Sequence, residues 1–131
     1  MSADSIVASA LANVPKAVAA GVTDMSTGML LAVKTVESHP QAVLDMLAAA
    51  TKDLYEGDMV MNIEKTFKKV RADSSPDHYF QEIVVTSKNL IHVFARLKAK
   101  PSVIMTVVSR ADANLGLCVS KTREIAATET V

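Results

Sequence analysis

The chain has no tryptophan, a single cysteine, four glycines and no excess of charge of either sign: 14 Lys and Arg balance 14 Asp and Glu over 131 residues. Each shortage excludes something. Two tyrosines and three phenylalanines offer little for bases to stack on, and the neutral balance argues against a general phosphate-binding surface, so no nucleic-acid partner is expected. The lone Cys118 cannot form an internal disulfide, which fits a reducing cytoplasm. Gly21, Gly28, Gly57 and Gly116 stand apart, so neither the dinucleotide nor the nucleoside-triphosphate glycine pattern can be written. A hydrolase elbow, a paired-histidine metal helix and a calcium loop are missing as well. No apolar run nears the roughly 18 residues that a bilayer requires. The longest are Ala17–Val22, Met29–Val33, Met46–Ala50 and Val103–Val108, the last broken by Thr106. The first ten residues carry Asp4 and no Lys or Arg, which argues against a signal peptide. The expectation is a cytoplasmic chain with no membrane partner, no cofactor and no metal.

What is present is apolar surface. Half the residues are hydrophobic and mean hydropathy is +0.24, the opposite of the composition of disorder. The length suits one domain, 1–131. A small chain this apolar, with no net charge, has weak protection against self-association.

Periodicity orders the elements. Ile6, Val7, Ala10, Leu11 and Val14 recur at helical spacing over 2–14, and Pro15 ends the run. Residues 16–36 read as a β-hairpin: Val18, Ala20 and Val22 alternate with Ala17, Ala19 and Gly21, and turn residues 24–28 precede Met29–Val36. The small second face of the first strand would let a helix approach closely. Ser38-His39-Pro40-Gln41 matches a capping box for a long middle helix. There Val43, Leu47, Ala50 and Leu54 make one stripe; Val60, Ile63, Phe67 and Val70 make another, about 200° around at 100° per residue. Either Gly57-Asp58 divides two helices, or one helix buries opposite faces against two partners. A polar loop, 72–77, leads to strands at His78–Ser87, Leu90–Leu97 and Ser102–Val108, and a last helix opens between Ser109 and Asp112 with Leu115, Cys118, Thr122 and Ile125 on one side. Short turns between strands make the sheet mainly antiparallel, with helices on its faces.

Chemistry is sparse. Cys118 with His92 is the only nucleophile–base pair that can be proposed, yet Cys118 sits on an apolar stripe, where a free cysteine is usually a small hydrophobe. Met59 and Met61, with Met46 and Met25, could suggest soft copper ligands; thioethers two residues apart on a helix diverge, so packing is the expected role. His39 and His78 read as exposed polar positions, and Asp53, Glu56 and Glu64 as solvated helix charges. Lys65, Lys68, Lys69 and Arg71 suit a helix C-terminus. Residues 83–111 hold Lys88, Arg96, Lys98, Lys100 and Arg110 without an acidic residue. Gathered at strand ends, these would form a basic patch for an acidic partner; scattered loop charges are the plainer reading.

The element order, and Ala111-Asp112-Ala113-Asn114-Leu115-Gly116-Leu117 after the strand Val103–Val108, resemble the roadblock family of dynein-light-chain-like domains, which includes bacterial relatives associated with small GTPases. Asn-Leu-Gly is the sharpest motif, and Asp58–Arg71 lengthens the middle region relative to the typical family. The resemblance implies an α+β, profilin-like fold: a five-stranded antiparallel sheet flanked by helices, element order α-β-β-α-β-β-β-α, strand order 2-1-5-4-3. It also implies a homodimer in which middle helices pair and third strands join. Carried to this chain, Val43–Tyr55 would be the pairing helix and Tyr79–Thr86 the seam strand, with Leu47, Leu54, Tyr79, Ile83 and Val85 at the interface. The apolar run Ile83-Val84-Val85 would be hazardous on an exposed edge, and pairing would shield it.

The function implied is a non-catalytic regulatory or scaffold module that binds a partner protein, a Ras-like small GTPase foremost, with Lys88, Arg96, Lys98 and Lys100 as a partner patch. The alternative is a small-ligand sensor or enzyme with a pocket near Cys118 and His92.

Overall fold

The computed structural model describes residues 2–36, 41–76 and 78–131, the side chains of residues 41–45 excepted. Helix α1, Ala3–Asn13, starts at Ser2, whose hydroxyl accepts the Ser5 amide while the Ser5 hydroxyl accepts the Ser2 amide. Strands β1 (Ala17–Asp24) and β2 (Met29–Thr35) form the expected hairpin. At its turn the Asp24 carboxylate accepts the Ser26 amide, and Gly28 supplies a φ of +72°. Helix α2 (Gln41–Glu56) is followed by α3 (Asp58–Val70), then β3 (Glu82–Thr86), β4 (Leu90–Arg96), β5 (Val103–Arg110) and α4 (Leu115–Thr128).

The five strands make one sheet in the order β2-β1-β5-β4-β3, every neighbouring pair antiparallel. Fold class and strand order are those that the resemblance implied, and so is the element order, with the middle helical segment divided into α2 and α3. Helices α1 and α4 cover one face, where Ile6, Ala10, Val22, Val93, Leu97, Met105, Val107, Cys118 and Ile125 make a closed core. Helix α2 lies over the other face, anchored at its C-terminal end by Tyr55, which packs with Met25, Phe94 and Ile104. Burying a large apolar side chain stabilises by about 1.5–3 kcal/mol, so the first cluster carries most of the fold.

Several expectations change. Gly57 divides the middle region into two helices: its φ of −63° is ordinary, but its ψ of 157° turns the chain out of α2. Its amide closes α2 on the Asp53 carbonyl, and its carbonyl opens α3 at Met61. The third strand is shorter than 78–87: the Tyr79 amide is held by the Glu64 carboxylate of α3, and the Gln81 carbonyl accepts both the Arg96 amide of β4 and the Tyr55 hydroxyl of α2. Ser109 lies in β5, and the last helix begins later, where the Asn114 side chain caps the Leu117 amide at 3.0 Å. The capping box at residues 38–41 and His39 fall outside the described residues.

Candidate functional site

The small-residue face of β1 does not draw α2 close. Register places Thr35, Ala19, Val108 and His92 in one row across the sheet, and Val33, Gly21, Thr106 and Phe94 in the next. With Ala19 and Gly21 in the middle, the floor is hollow. Helix α2 buries Tyr55 against the sheet, while Leu47, Ala48, Thr51 and Leu54 line the gap above the floor. The result is a cleft of about 530 Å³, within the usual ~300–1,000 Å³ of ligand pockets. Its walls are mostly apolar; Asn89, His92 and Arg110 mark one end. The Nε2 of His92 is buried and meets no hydrogen-bond partner among the described residues. Burial pushes the pKa of this imidazole below its ordinary value, which favours the neutral ring.

Cys118 is not part of this cleft. It is fully buried on the opposite face of the sheet, its Sγ 3.7 Å from the Pro15 carbonyl oxygen, so Cys118 and His92 make no nucleophile–base pair. A pocket exists beside His92 and none joins it to Cys118 among the described residues. Among those residues, too, no group of three His, Cys, Asp or Glu could hold a metal ion, and no helix is long and apolar enough to cross a membrane.

The basic patch comes apart. Arg96 is only 5% exposed: its Nε donates to the Phe80 carbonyl at 2.7 Å, Nη1 donates to the Pro101 carbonyl at 2.8 Å, and the guanidinium lies 4.7 Å from the centre of the Tyr55 ring. Its two-residue spacing from Phe94 is the one local sign that it belongs to the sheet face. Lys88 sits at the β3–β4 turn, while Lys98 and Lys100 sit at the β4–β5 turn, so β4 separates them. Roughly 20 Å of strand lies between the two groups.

Glu64 is not solvated. At 4% exposed, its carboxylate accepts the Tyr79 amide at 2.5 Å and meets His78 Nδ1 at 3.2 Å. Burial alone would raise its pKa, but these hydrogen bonds outweigh that and hold it below the usual value. Tyr79, outside the strand, stacks on Phe67 with ring centres 6.0 Å apart. Tyr55 donates its hydroxyl to the Gln81 carbonyl, and burial raises its pKa. Residues 78–81 are thus clamped between α2, α3 and Arg96, an arrangement with no local sequence signal beyond the placement of Glu64.

Among the described residues, α3 and β3 both carry uncovered apolar surface. On α3 the stripe Ile63, Phe67 and Val70 faces out, with Phe67 46% and Val70 79% exposed, and Leu47 on α2 is 59% exposed. Strand β3 is a sheet edge with Val84 and Val85 exposed and Ile83 half-buried. Of the seam residues, Leu47 and Leu54 lie on α2 and Ile83 and Val85 on β3, while Tyr79 precedes β3 and stacks on Phe67 of α3.

The sequence matches no protein-family model and no curated protein. Solved structures do match. MglB in a tetrameric arrangement superposes with a TM-score of 0.67 at 19% identity, over 95% of this chain and 82% of that one. The gliding protein MglB from Thermus thermophilus gives 0.67 at 18% identity, with the same shares. A Roadblock/LC7 domain from Streptomyces avermitilis gives 0.66 at 15% identity, over 96% of this chain and 92% of that one. Five antiparallel strands in the order β2-β1-β5-β4-β3, with two helices on one face and the middle helix on the other, give this chain the roadblock fold.

Proposed function

We propose that residues 1–131 form a single roadblock-like domain that acts in the cytoplasm as a non-catalytic regulatory or scaffold module. It pairs with a second copy of itself and binds a partner protein, a Ras-like small GTPase being the partner that the resemblance implies. The observation that carries this reading is the uncovered apolar stripe of α3 beside the open β3 edge. Apolar side chains on an amphipathic helix gain nothing by facing water, and an unblunted strand edge invites pairing. The tetrameric arrangement described for MglB supports self-association in this fold. The seam would join Leu47 and Leu54 of α2, the Phe67–Tyr79 stack, and Ile83 and Val85 of β3. Lys88 would meet an acidic partner at one end of β4, and Lys98 with Lys100 at the other.

Light scattering at micromolar concentration tests the pairing: a dimer is expected, and a stable monomer of 14.0 kDa overturns it. Phe67→Asp with Val84→Lys should shift the dimer to monomer without unfolding the closed core. For the partner, affinity capture from native lysate should recover a small GTPase, and reproducible recovery of none removes that part of the reading.

A further inference from the structure

We propose that the cleft between α2 and the sheet is a binding site for a free medium-chain carboxylate, the aliphatic tail lying over Ala19 and Gly21 and the carboxylate meeting Arg110 and His92. Three features carry this assignment. Away from Asn89, His92 and Arg110 the cleft is lined mostly by apolar and small side chains, Leu54 and Phe94 among them, so that part suits a tail. Its one charged lining residue among those described is Arg110, which lies at one end and makes no side-chain hydrogen bond or ion pair with them; the adjacent Asp112 is engaged by Lys16 at 2.6 Å. One row further in, the buried Nε2 of His92 lacks a partner among the described residues, and in its protonated tautomer it would donate to a ligand oxygen. From the Thr106 row to Arg110 is four residues along β5, roughly 13 Å, a span that a medium-chain tail and its head group can fill.

Charge complementarity chooses the head group. An amine would face the like charge of Arg110, whereas a carboxylate gains a charge-assisted hydrogen bond from it. Specificity would come from the polar end and affinity from the tail, the usual division in ligand pockets.

Calorimetric titration of the full chain with decanoate, kept below its micelle threshold, tests the site. Saturable binding of one decanoate per chain is expected, with decylamine and methyl decanoate weaker by about tenfold or more. Arg110→Gln, a change at an exposed position, should weaken decanoate about tenfold and leave methyl decanoate unchanged. Ala19→Leu should fill the floor and abolish binding of both, with circular dichroism showing that the fold is kept. Absence of saturable binding, decylamine binding as tightly as decanoate, or undiminished binding to a folded Ala19→Leu chain would overturn the assignment. Because the oligomeric state is measured separately, failure here leaves the pairing proposal standing.

Discussion

Replacing Gly57 with alanine asks a question whose answer is a sign. In the interior of one continuous helix, glycine is worse than alanine by about 0.5–1 kcal/mol, so the substitution would stabilise. The structure requires the reverse. The φ of −63° suits any residue, so the backbone conformation does not object. A Cβ on Gly57, however, would lie 2.6 Å from the Asp53 carbonyl oxygen, a backbone atom that cannot rotate away. That same oxygen accepts the Gly57 amide at 3.0 Å, so relief of the clash stretches the bond that closes α2. Overpacking costs about 1–3 kcal/mol, and a weakened hydrogen bond adds up to about 1 kcal/mol. Against the gain in the unfolded chain from losing a glycine, the net is a destabilisation of about 1–2 kcal/mol. Urea unfolding followed by far-ultraviolet circular dichroism reads this directly, with the chain concentration held fixed because pairing shifts apparent stability. Gly21→Ala is the control: its Cβ would meet the nearest atoms at 3.6 Å, ordinary contact, so its midpoint should hold or rise. A Gly57→Ala chain as stable as the parent, or more so, refutes the two-helix geometry.

Other residues make similarly direct predictions. Glu64→Gln removes a carboxylate that accepts a charge-assisted bond from the Tyr79 amide, and should cost about 1.5–3 kcal/mol at neutral pH in the same urea assay. Because the folded pKa of Glu64 is depressed, its contribution is fully present above the ordinary carboxylate pKa and lost as pH falls through the folded value; the gap between parent and variant should therefore close on acidification, and a constant gap would count against the depressed pKa. Arg96→Met leaves the Phe80 and Pro101 carbonyls without their donor, and a loss of about 2–5 kcal/mol is expected, with Tyr55 fluorescence reporting the altered ring environment. Cys118 should resist alkylation in the native chain and react only on unfolding, as mass spectrometry would show; fast labelling near neutral pH would overturn its burial.

What the sequence reveals, and what it hides, follows from the range of each signal. Alternation in Ile91, Val93, Ala95 and Leu97 against Leu90, His92, Phe94 and Arg96 is local, and it correctly separates the two faces of β4. It does not reveal that Arg96 is buried, because its partners come from two other loops, 78–81 and 98–102. Glu64 looks like a solvated charge for the same reason: the Tyr79 amide that needs it lies 15 residues away. The two helical stripes around Gly57 are visible, but the choice between a bend and a break depends on one ψ angle. The smallness of Ala19 and Gly21 is plain as well, and its consequence is the inverse of the expected one. Small residues permit close approach without enforcing it: here Tyr55 packs among Met25, Phe94 and Ile104 at the C-terminal end of α2, and a cleft lies over Ala19 and Gly21.

The distribution of exposed apolar side chains bears on why a neutral chain can be so hydrophobic. If the excess were diffuse, every element would contribute to it. Helix α1 and strands β1, β4 and β5 contribute no exposed large hydrophobic residue and α4 contributes Leu115 and Leu117, while β2, α2, α3 and β3 supply the larger share: Met29, Leu31, Val33, Met46, Leu47, Met59, Met61, Ile63, Phe67, Val70, Val84 and Val85. These are the two sheet edges and the two helices of the middle region. The face carrying α1 and α4 already holds a closed core, with only Leu115 and Leu117 exposed at the start of α4. A composition that looks uniformly adhesive is thus concentrated where backbone pairing or helix packing can use it. That concentration also separates the two proposed roles in space. Leu47 and Leu54 of α2 belong to both the cleft wall and the proposed seam, but the cleft floor lies on β1, β5 and β4, whereas the seam's strand is β3 at the sheet edge. Pairing and ligand binding can therefore be removed one at a time, Phe67→Asp with Val84→Lys for the first and Ala19→Leu for the second.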